Sequence, residues 1–458
     1  MEHMKQLRLL LFLLVILGFL FAPSCSFAFA DEPWVKVGIG VFKELRLEAS
    51  QGLKVYFTDG KSLTRDSVHL TITGEGTISI DGSSGNAFSI LVVPQGGVVR
   101  VNGRPYRGRF MLYATSSGIK VVNLVNLEDY IKGTVKLEIS PRWPREALLA
   151  YIIVVRTYAL ANLGRHREEG FDFCASSHCL LYGGVNAESE ITNSLVEESR
   201  GLVLTYQGKL AQVFFHSESG GATESAYAVW GKHVPYLVSV VSPWEEDAPH
   251  ARWKVSFSLA QLEEKLLERN LIQGRLQSLS FEFGENGRVK EVRAFTTQGV
   301  FTFTAHRFRE AVGFDELLST FFKVSVEYRN NQSVQRVTPF VKRGESSKNS
   351  ENPSKKNIEE LLQKDWTLED IIAYLREREQ LRRNNLSARD DSLAESAENS
   401  SENTDQREMW YVFEGSGYGH GVGLSQWGAR GMALRGYNCS QILEHYFPGC
   451  EIRRAVFR

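Results

Sequence analysis

Short alternating runs of apolar and polar residues fill the first part of the chain. Val35-Lys36-Val37-Gly38-Ile39 alternates, and Val55–Phe57, Val68–Ile72 and Ile78–Ile80 follow, divided by turn pairs such as Asp59-Gly60 and Asp81-Gly82. Period-two patterning broken by turn residues predicts antiparallel sheet from Val35 to about Asn126. The period then changes. Leu148, Tyr151, Ile152, Val155, Tyr158 and Ala159 recur at the three-and-four spacing of one buried helix face. Pro144 suits a first helical turn and Gly164 a stop, so a helix is expected to start near Pro144. Strand signals resume over Gly201–Phe215, and a mixed segment runs to about Val326. The pattern predicts an α+β fold: a mixed, antiparallel, sheet-rich body with one long helix.

Two stretches depart from this pattern. Lys5 and Arg8 precede an apolar run from Leu9 to Phe21, which ends in Ala28-Phe29-Ala30. A basic start, a short apolar run and an A-x-A site predict a secretory signal peptide over residues 1–30. The run falls short of the ~20 residues of a membrane helix. A retained signal anchor is the alternative, and it is the one expected route to a membrane. Cys25 lacks a Leu three residues earlier and makes a poor lipoprotein site. The expectation is an exported protein working in the periplasm or envelope, outside the cytoplasmic membrane.

The second stretch, residues 330–408, is rich in Ser, Asn, Lys and Glu, as expected of a solvated insert. Within it, Ile358, Leu361 and Leu362 form one apolar stripe. Leu368, Ile371, Ile372 and Leu375 form another, opened by the capping-box pattern Thr367-x-x-Asp370, so a short helical pair is expected there. Residues 31–329 and 409–458 are then two parts of one domain, the second completing the first.

Composition narrows the classes. Of 458 residues, 43% are hydrophobic and 23% charged, which excludes a wholly disordered, collagen-like or polytopic membrane protein. Lys plus Arg (53) balance Asp plus Glu (54), so net charge gives no argument for nucleic acid as a partner. Five Cys are too few for a disulfide scaffold.

Three clusters can carry chemistry. Glu138 is a lone acid in Val135-Lys136-Leu137-Glu138-Ile139, just ahead of the expected helix. Burial would raise its pKa toward that of a general acid, while the positive helix start would oppose this. A surface Glu on a turn is the plain alternative. His166, Cys174, His178 and Cys179 offer two imidazoles and two thiols, a tetrahedral zinc set by donor type. A Cys174–Cys179 disulfide is the alternative. The third cluster lies in glycine- and serine-rich turns: Phe215-His216-Ser217-Glu218-Ser219-Gly220-Gly221 and Gly415–Gly428, with five alternating glycines around His420. Glycines admit close backbone approach, and His, Ser, Gln and Trp supply hydrogen bonds and a stacking face for a sugar. There is no phosphate-loop pattern, no G-x-S-x-G and no H-E-x-x-H. Cys439 and Cys450 can close a disulfide loop or stay as two free thiols.

Together these segments resemble the stage II sporulation protein D family. The resemblance rests on Asn126-Leu127-Glu128-Asp129-Tyr130-Ile131-Lys132-Gly133, Leu137-Glu138-Ile139, Trp143–Leu148, Arg156–Leu160, Phe215–Gly221, Thr223-Glu224-Ser225, Val229-Trp230-Gly231 and the terminal Gly-His-Gly-Val-Gly-Leu-Ser-Gln stretch. It covers roughly Val35–Val326 and Trp410–Arg458. It implies a lytic transglycosylase that cuts amidase-denuded peptidoglycan glycan strands and leaves 1,6-anhydro-muramoyl ends. It also implies Glu138 as the catalytic acid and a zinc site in the Cys174–Cys179 region, whose spacing here differs from the family's by about one residue. Zinc would be structural, and catalysis would need no cofactor. His216, Ser217, Ser219, His420, Ser425 and Gln426 are the expected sugar-binding residues. The alternative function is a non-catalytic amidase enhancer or wall-binding protein. Either way the expected partners are glycan strands and a cell-wall amidase. The insert stands where the family usually has a short loop.

Overall fold

In a computed structural model, residues 33–73, 76–330 and 407–455 are described. The signal-peptide segment and the stripes at Ile358–Leu375 lie outside them. The architecture is α+β.

The alternating N-terminal runs form an eleven-stranded sheet. Trp34–Phe42 pairs antiparallel with Gly118–Asn126, in register from Trp34↔Asn126 to Phe42↔Ile119, with an irregularity between Gly38 and Gly40. The short strand Phe173–Cys174 adds in parallel at this edge, setting Cys174 opposite Gly38. Val35, Val37, Leu45, Leu47, Val55, Leu70, Val92, Phe110, Leu112, Val121 and Val125 lie at zero exposure and form the buried face.

Helix α1 (Leu127–Glu138) follows the strand Gly118–Asn126 without a loop. Asn126 makes the switch: its side chain accepts from the Glu128 N–H at 3.0 Å. Leu127, Tyr130, Ile131, Val135 and Leu137 then bury one face. The sequence expectation had no helix here, because the strand passes into the helix with no turn pair or glycine between them. α2 (Arg145–Ala161) begins after Pro144, as the pattern predicted, but every residue from Ala147 to Tyr158 is buried. A helix buried on all sides is the central post of its domain. α3 (Glu190–Glu198), capped by Ser189, packs on both.

One ion pair ties these helices together. The Arg156 guanidinium on α2 donates to both Glu128 oxygens on α1, at 2.8 and 2.7 Å, with exposures of 0% and 2%. Arg156 also donates to the carbonyls of Leu202 and Val196, and Glu128 accepts from the Gly201 N–H. A buried charge pair this well satisfied costs little when intact and much when halved.

Further along come α4 (Ala226–Trp230), α5 (Leu259–Glu268) and α6 (Ala305–Val312). α5 and α6 share a second core with two three-stranded sheets. One has the order Trp253–Ser258, Arg407–Gly415, Phe322–Asn330; the other runs Leu276–Phe283, Val289–Thr296, Gly299–Thr304. Asn330 stands opposite Arg407, so the chain leaves and re-enters the described body at neighbouring strand ends. The C-terminal segment returns to the first part through Leu424–Ser425, parallel to Phe215–His216, and Glu451–Arg454, antiparallel to Leu202–Tyr206. α7 (Gln426–Leu434) and α8 (Cys439–Tyr446) pack on α2. Among the described residues no helix is long and apolar enough to cross a membrane.

Arg156→Met is expected to lower unfolding stability in urea by about 3–5 kcal/mol, because it strands the Glu128 carboxylate. Adding Glu128→Leu should restore part of that loss. A single variant as stable as the parent would show that the pair does not hold the helices.

Candidate active site around Glu138

Glu138 is the last residue of α1. The sequence reading placed it before a helix whose positive end would favour the carboxylate. The structure corrects this: the nearer pole is the C-terminus of α1, where free carbonyls disfavour negative charge. The side chain keeps a partly exposed edge while protein surrounds its other sides. Burial pushes its pKa from 4.5 up to about 7, against the Leu181 N–H, which donates to Oε1 at 3.1 Å, and the Tyr151 hydroxyl, which both lower it. Burial wins, and the carboxyl holds a proton near neutral pH.

Three elements converge on it. α2 brings Tyr151, whose ring meets Phe215 edge-on at 5.2 Å. α7 brings Gln426 to the same hydroxyl. Trp427 follows, edge-on to Trp143 at 5.2 Å and half-buried. The Trp427 N–H donates to the Ser217 carbonyl at 3.0 Å, which ties α7 to the Phe215–His216 strand. The Trp143–Trp427 pair offers two indole rings, and Gln426 beside it in sequence an amide, groups suited to a polar ring such as a sugar.

The other expected sugar-binding residues have different surroundings. Ser219 and Ser425 turn inward: their hydroxyls donate to Glu245 at 2.6 and 2.7 Å. The Ser242 hydroxyl and the Gly220 N–H complete the cradle of this buried carboxylate. His216 donates from Nδ1 to the Val422 carbonyl at 3.2 Å, and its Nε2 has no partner. The Ser217 hydroxyl is likewise buried without a partner. His420 accepts from the Val422 N–H at 3.0 Å. Burial, together with Arg309, His306 and Arg288, drives its pKa down to about 3, so the ring is neutral. His216, His420 and Trp230 form a cluster of tilted rings, with centroids 5.6 and 5.1 Å apart. Of the expected set, Gln426 is the one linked to the surroundings of Glu138, through the Tyr151 hydroxyl on which both act.

The alternating glycines serve this crossing of segments. At Gly421 (φ 83°) a Cβ would lie 2.8 Å from the Arg288 guanidinium carbon, and at Gly423 (φ 73°) 2.2 Å from the Phe214 carbonyl. The close approach they permit is to protein. Buried Arg288, which donates to the Ala222 carbonyl and the Thr320 hydroxyl, is a residue sequence reasoning missed, as are Glu245 and Tyr151. Nothing in the linear pattern sets Tyr151 apart from the core stripe it belongs to.

The ligand atoms of His166, Cys174, His178 and Cys179 lie within 4.8 Å of one another. His166 Nε2 is 3.3 Å from the Cys179 sulfur, and His178 Nδ1 is 3.7 Å from both sulfurs. A tetrahedral zinc with bonds of about 2.0–2.3 Å has ligand–ligand edges of roughly 3.5 Å, so the donor set fits. The far nitrogen of His166 meets Glu169 at 2.5 Å, the outer-shell contact typical of a ligating imidazole. Burial pushes the Cys174 thiol up, but hydrogen bonds to Ser176 and His178 outweigh it and bring it down to about 6. All four described cysteines are free, Cys439 and Cys450 included.

Comparison with known proteins agrees with this arrangement. Residues 115–206, which contain α1, α2 and the Cys/His cluster, match the family described as stage II sporulation protein. The Amidase enhancer of Bacillus subtilis is 28% identical over 320 residues, 70% of this chain and 39% of that protein. Stage II sporulation protein D of Bacillus amyloliquefaciens is 32% identical over 171 residues, 34% of this chain and 49% of its own length. The Bacillus subtilis protein of the same name is 28% identical over 160 residues, 32% of this chain and 47% of that protein. The chain thus spans less than half the length of these relatives. These similarities show a stage II sporulation protein domain over residues 115–206 and relate the chain to proteins named Stage II sporulation protein D and Amidase enhancer.

Proposed function

We propose that this protein is a lytic transglycosylase of the bacterial cell wall, with Glu138 as its single acid and base. The observation that carries the reading is the enclosed position of Glu138 at the end of α1, where burial pushes its carboxyl pKa up to about 7. In the proposed reaction, protonated Glu138 gives its proton to the glycosidic oxygen between two sugars, and the bond to the muramoyl C1 breaks. The resulting carboxylate takes the proton of the muramoyl C6 hydroxyl as that oxygen closes on C1. The product carries a 1,6-anhydro ring, and the acid returns to its starting state. An internal hydroxyl replaces water, so no second carboxylate is required, unlike the two-carboxylate glycosidase scheme. Gln426, Trp427 and Trp143 would hold the sugar ring beside Glu138.

His166, Cys174, His178 and Cys179 would hold a zinc ion. Four protein donors leave no open position, so the ion would brace the loop that ends in the Leu181 N–H. The substrate in this reading is glycan stripped of stem peptides by an amidase, met outside the cytoplasmic membrane after export. The longest of the alignments reported above, to a protein named Amidase enhancer, favours a second reading in which the chain stimulates an amidase.

Glu138→Gln is expected to abolish cleavage of amidase-treated peptidoglycan, a fall of at least ~10²-fold. Mass spectrometry of the products is the measurement. Anhydro-muramoyl ends support the transglycosylase, whereas wild-type rates in the variant would sink Glu138. No products, but faster stem-peptide release by added amidase, would favour the enhancer.

Cleavage should weaken as pH rises through about 7, where the acid loses its proton. Stability follows the same sign. The folded pKa lies above the unfolded value of 4.5, so the proton's stabilising contribution is full below that value and is lost as pH rises through 7. Glu138→Gln escapes the loss, and its thermal midpoint relative to the parent should rise between pH 4 and pH 8.

Purified protein should contain about one zinc per chain by elemental analysis, and Cys174→Ser should reduce it. Full metal content in that variant would remove Cys174 from the ligand set.

A further inference from the structure

Away from Glu138, α7 and α8 meet the segment around Trp244 at an open cavity of about 560 Å³, within the ~300–1,000 Å³ of small-molecule sites. Trp244, Tyr437 and His445 line it with three rings. The indole lies 5.9 Å from the Tyr437 ring, tilted at 56°, and 5.0 Å from the imidazole, edge-on. The rings do not stack on one another, so they stand as walls of a cup. Tyr437 is 38% exposed and Trp244 half-buried.

Between these walls, one face of α8 brings Ser440, Gln441 and Glu444 beside His445. Each has a hydrogen-bonding atom to spare. The Gln441 oxygen accepts from the Asn438 N–H at 2.9 Å, which leaves its amide N–H groups as donors. His445 donates from Nε2 to the Val241 carbonyl at 2.9 Å, which leaves Nδ1 as an acceptor. Burial lowers the pKa of this ring and keeps it neutral. Glu444 turns one oxygen to the Gly449 N–H at 3.4 Å, and among the described residues nothing engages the other. The Ser440 side chain is exposed.

The cup is preformed. A Cβ on Gly431 would collide with the Trp244 carbonyl, so the backbone of Trp244 sits directly against α7. The next residue, Glu245, is the buried carboxylate that gathers the hydroxyls of Ser219, Ser242 and Ser425. A site built in advance loses little entropy on binding. Its chemistry selects the ligand. Glu444 is the one charged side chain in the lining, which disfavours an anion. Aromatic walls suit a ring with an apolar face, and donors and acceptors between them suit a rim of hydroxyl and amide groups. A neutral N-acetylhexosamine has both; an acidic peptide, a polyphosphate or a sugar with a free carboxylate does not fit the charge.

We infer that Trp244, Tyr437 and the outer face of α8 form a second saccharide site, apart from Glu138, that takes a neutral N-acetylglucosamine unit. Trp427 and Gly431 lie one turn apart on α7, ~6 Å along its axis, within the reach of a strand of several sugars. That the sugar belongs to wall glycan rests on the proposed function, while the affinity of the cup for an amino sugar does not.

The test is NMR of the indole N–H signals of the intact Glu138→Gln protein, titrated with the N-acetylglucosamine tetramer. The Trp244 signal is identified by its loss in Trp244→Phe. It should shift saturably, and Tyr437→Ala should weaken the binding read at that signal about tenfold, the effect of losing one aromatic wall. Glu444→Ala, at an exposed position, is an independent variant and should weaken it severalfold. A Trp244 signal that stays fixed at millimolar sugar overturns the inference, and so does a shift whose affinity neither substitution changes. A signal that moves with added amidase and not with the sugar overturns it in favour of a protein-docking face. With Glu138 intact, Tyr437→Ala should raise KM for long amidase-treated strands severalfold and leave kcat unchanged; an unchanged KM overturns the glycan assignment. Sugar binding at Trp244 in a protein whose parent cleaves no glycan supports the site and sinks the transglycosylase reading alone.

Discussion

The Glu128–Arg156 pair is the constraint on which the site depends. Glu138 ends α1, α2 packs against that helix, and the place of the carboxyl depends on the two keeping one rotation and one depth. Apolar contacts between helices tolerate small slips, because the hydrophobic effect is not directional. A two-pronged guanidinium–carboxylate contact does not, since its geometry is planar and its distances are short. By also gripping the carbonyls of Val196 and Leu202, Arg156 fixes the end of α3 and the strand that follows to the same frame.

A second polar knot holds the other side. Glu245 collects the hydroxyls of Ser219, Ser242 and Ser425, and Ser425 is also the N-cap of α7. The position of Gln426 and Trp427 thus traces to a carboxylate far from them in sequence. Gly428 belongs to the same knot, because a Cβ there would fall 2.0 Å from the Tyr446 hydroxyl. Both knots are buried and hydrogen-bonded on all sides, the condition under which polar groups specify an interior instead of weakening it.

What could be read from the sequence follows from locality. The α+β class and α2 were legible because period and punctuation are local signals: Pro144 opens the helix and Leu148–Ala159 marks its face. The four Cys and His donors were legible as a group because they fall within one short stretch. α1 was not, because Asn126 is the only mark between a buried strand and a buried helix. Missing α1 in turn reversed the sign of the helix-end effect on Glu138. Ser219 and Ser425 read as sugar ligands because their partner Glu245 sits in a segment with no motif. Tyr151 read as core, and it is 1% exposed.

The facing ends at Asn330 and Arg407 have an evolutionary consequence. Two adjacent strands that finish side by side form the same ladder whatever length of chain is threaded between them. The entropic cost of closing such a loop grows only with the logarithm of its length. A lineage can therefore lengthen, shorten or exchange this segment while the part of the molecule that carries Glu138 goes on folding as before, which makes the joint a natural place for relatives to diverge.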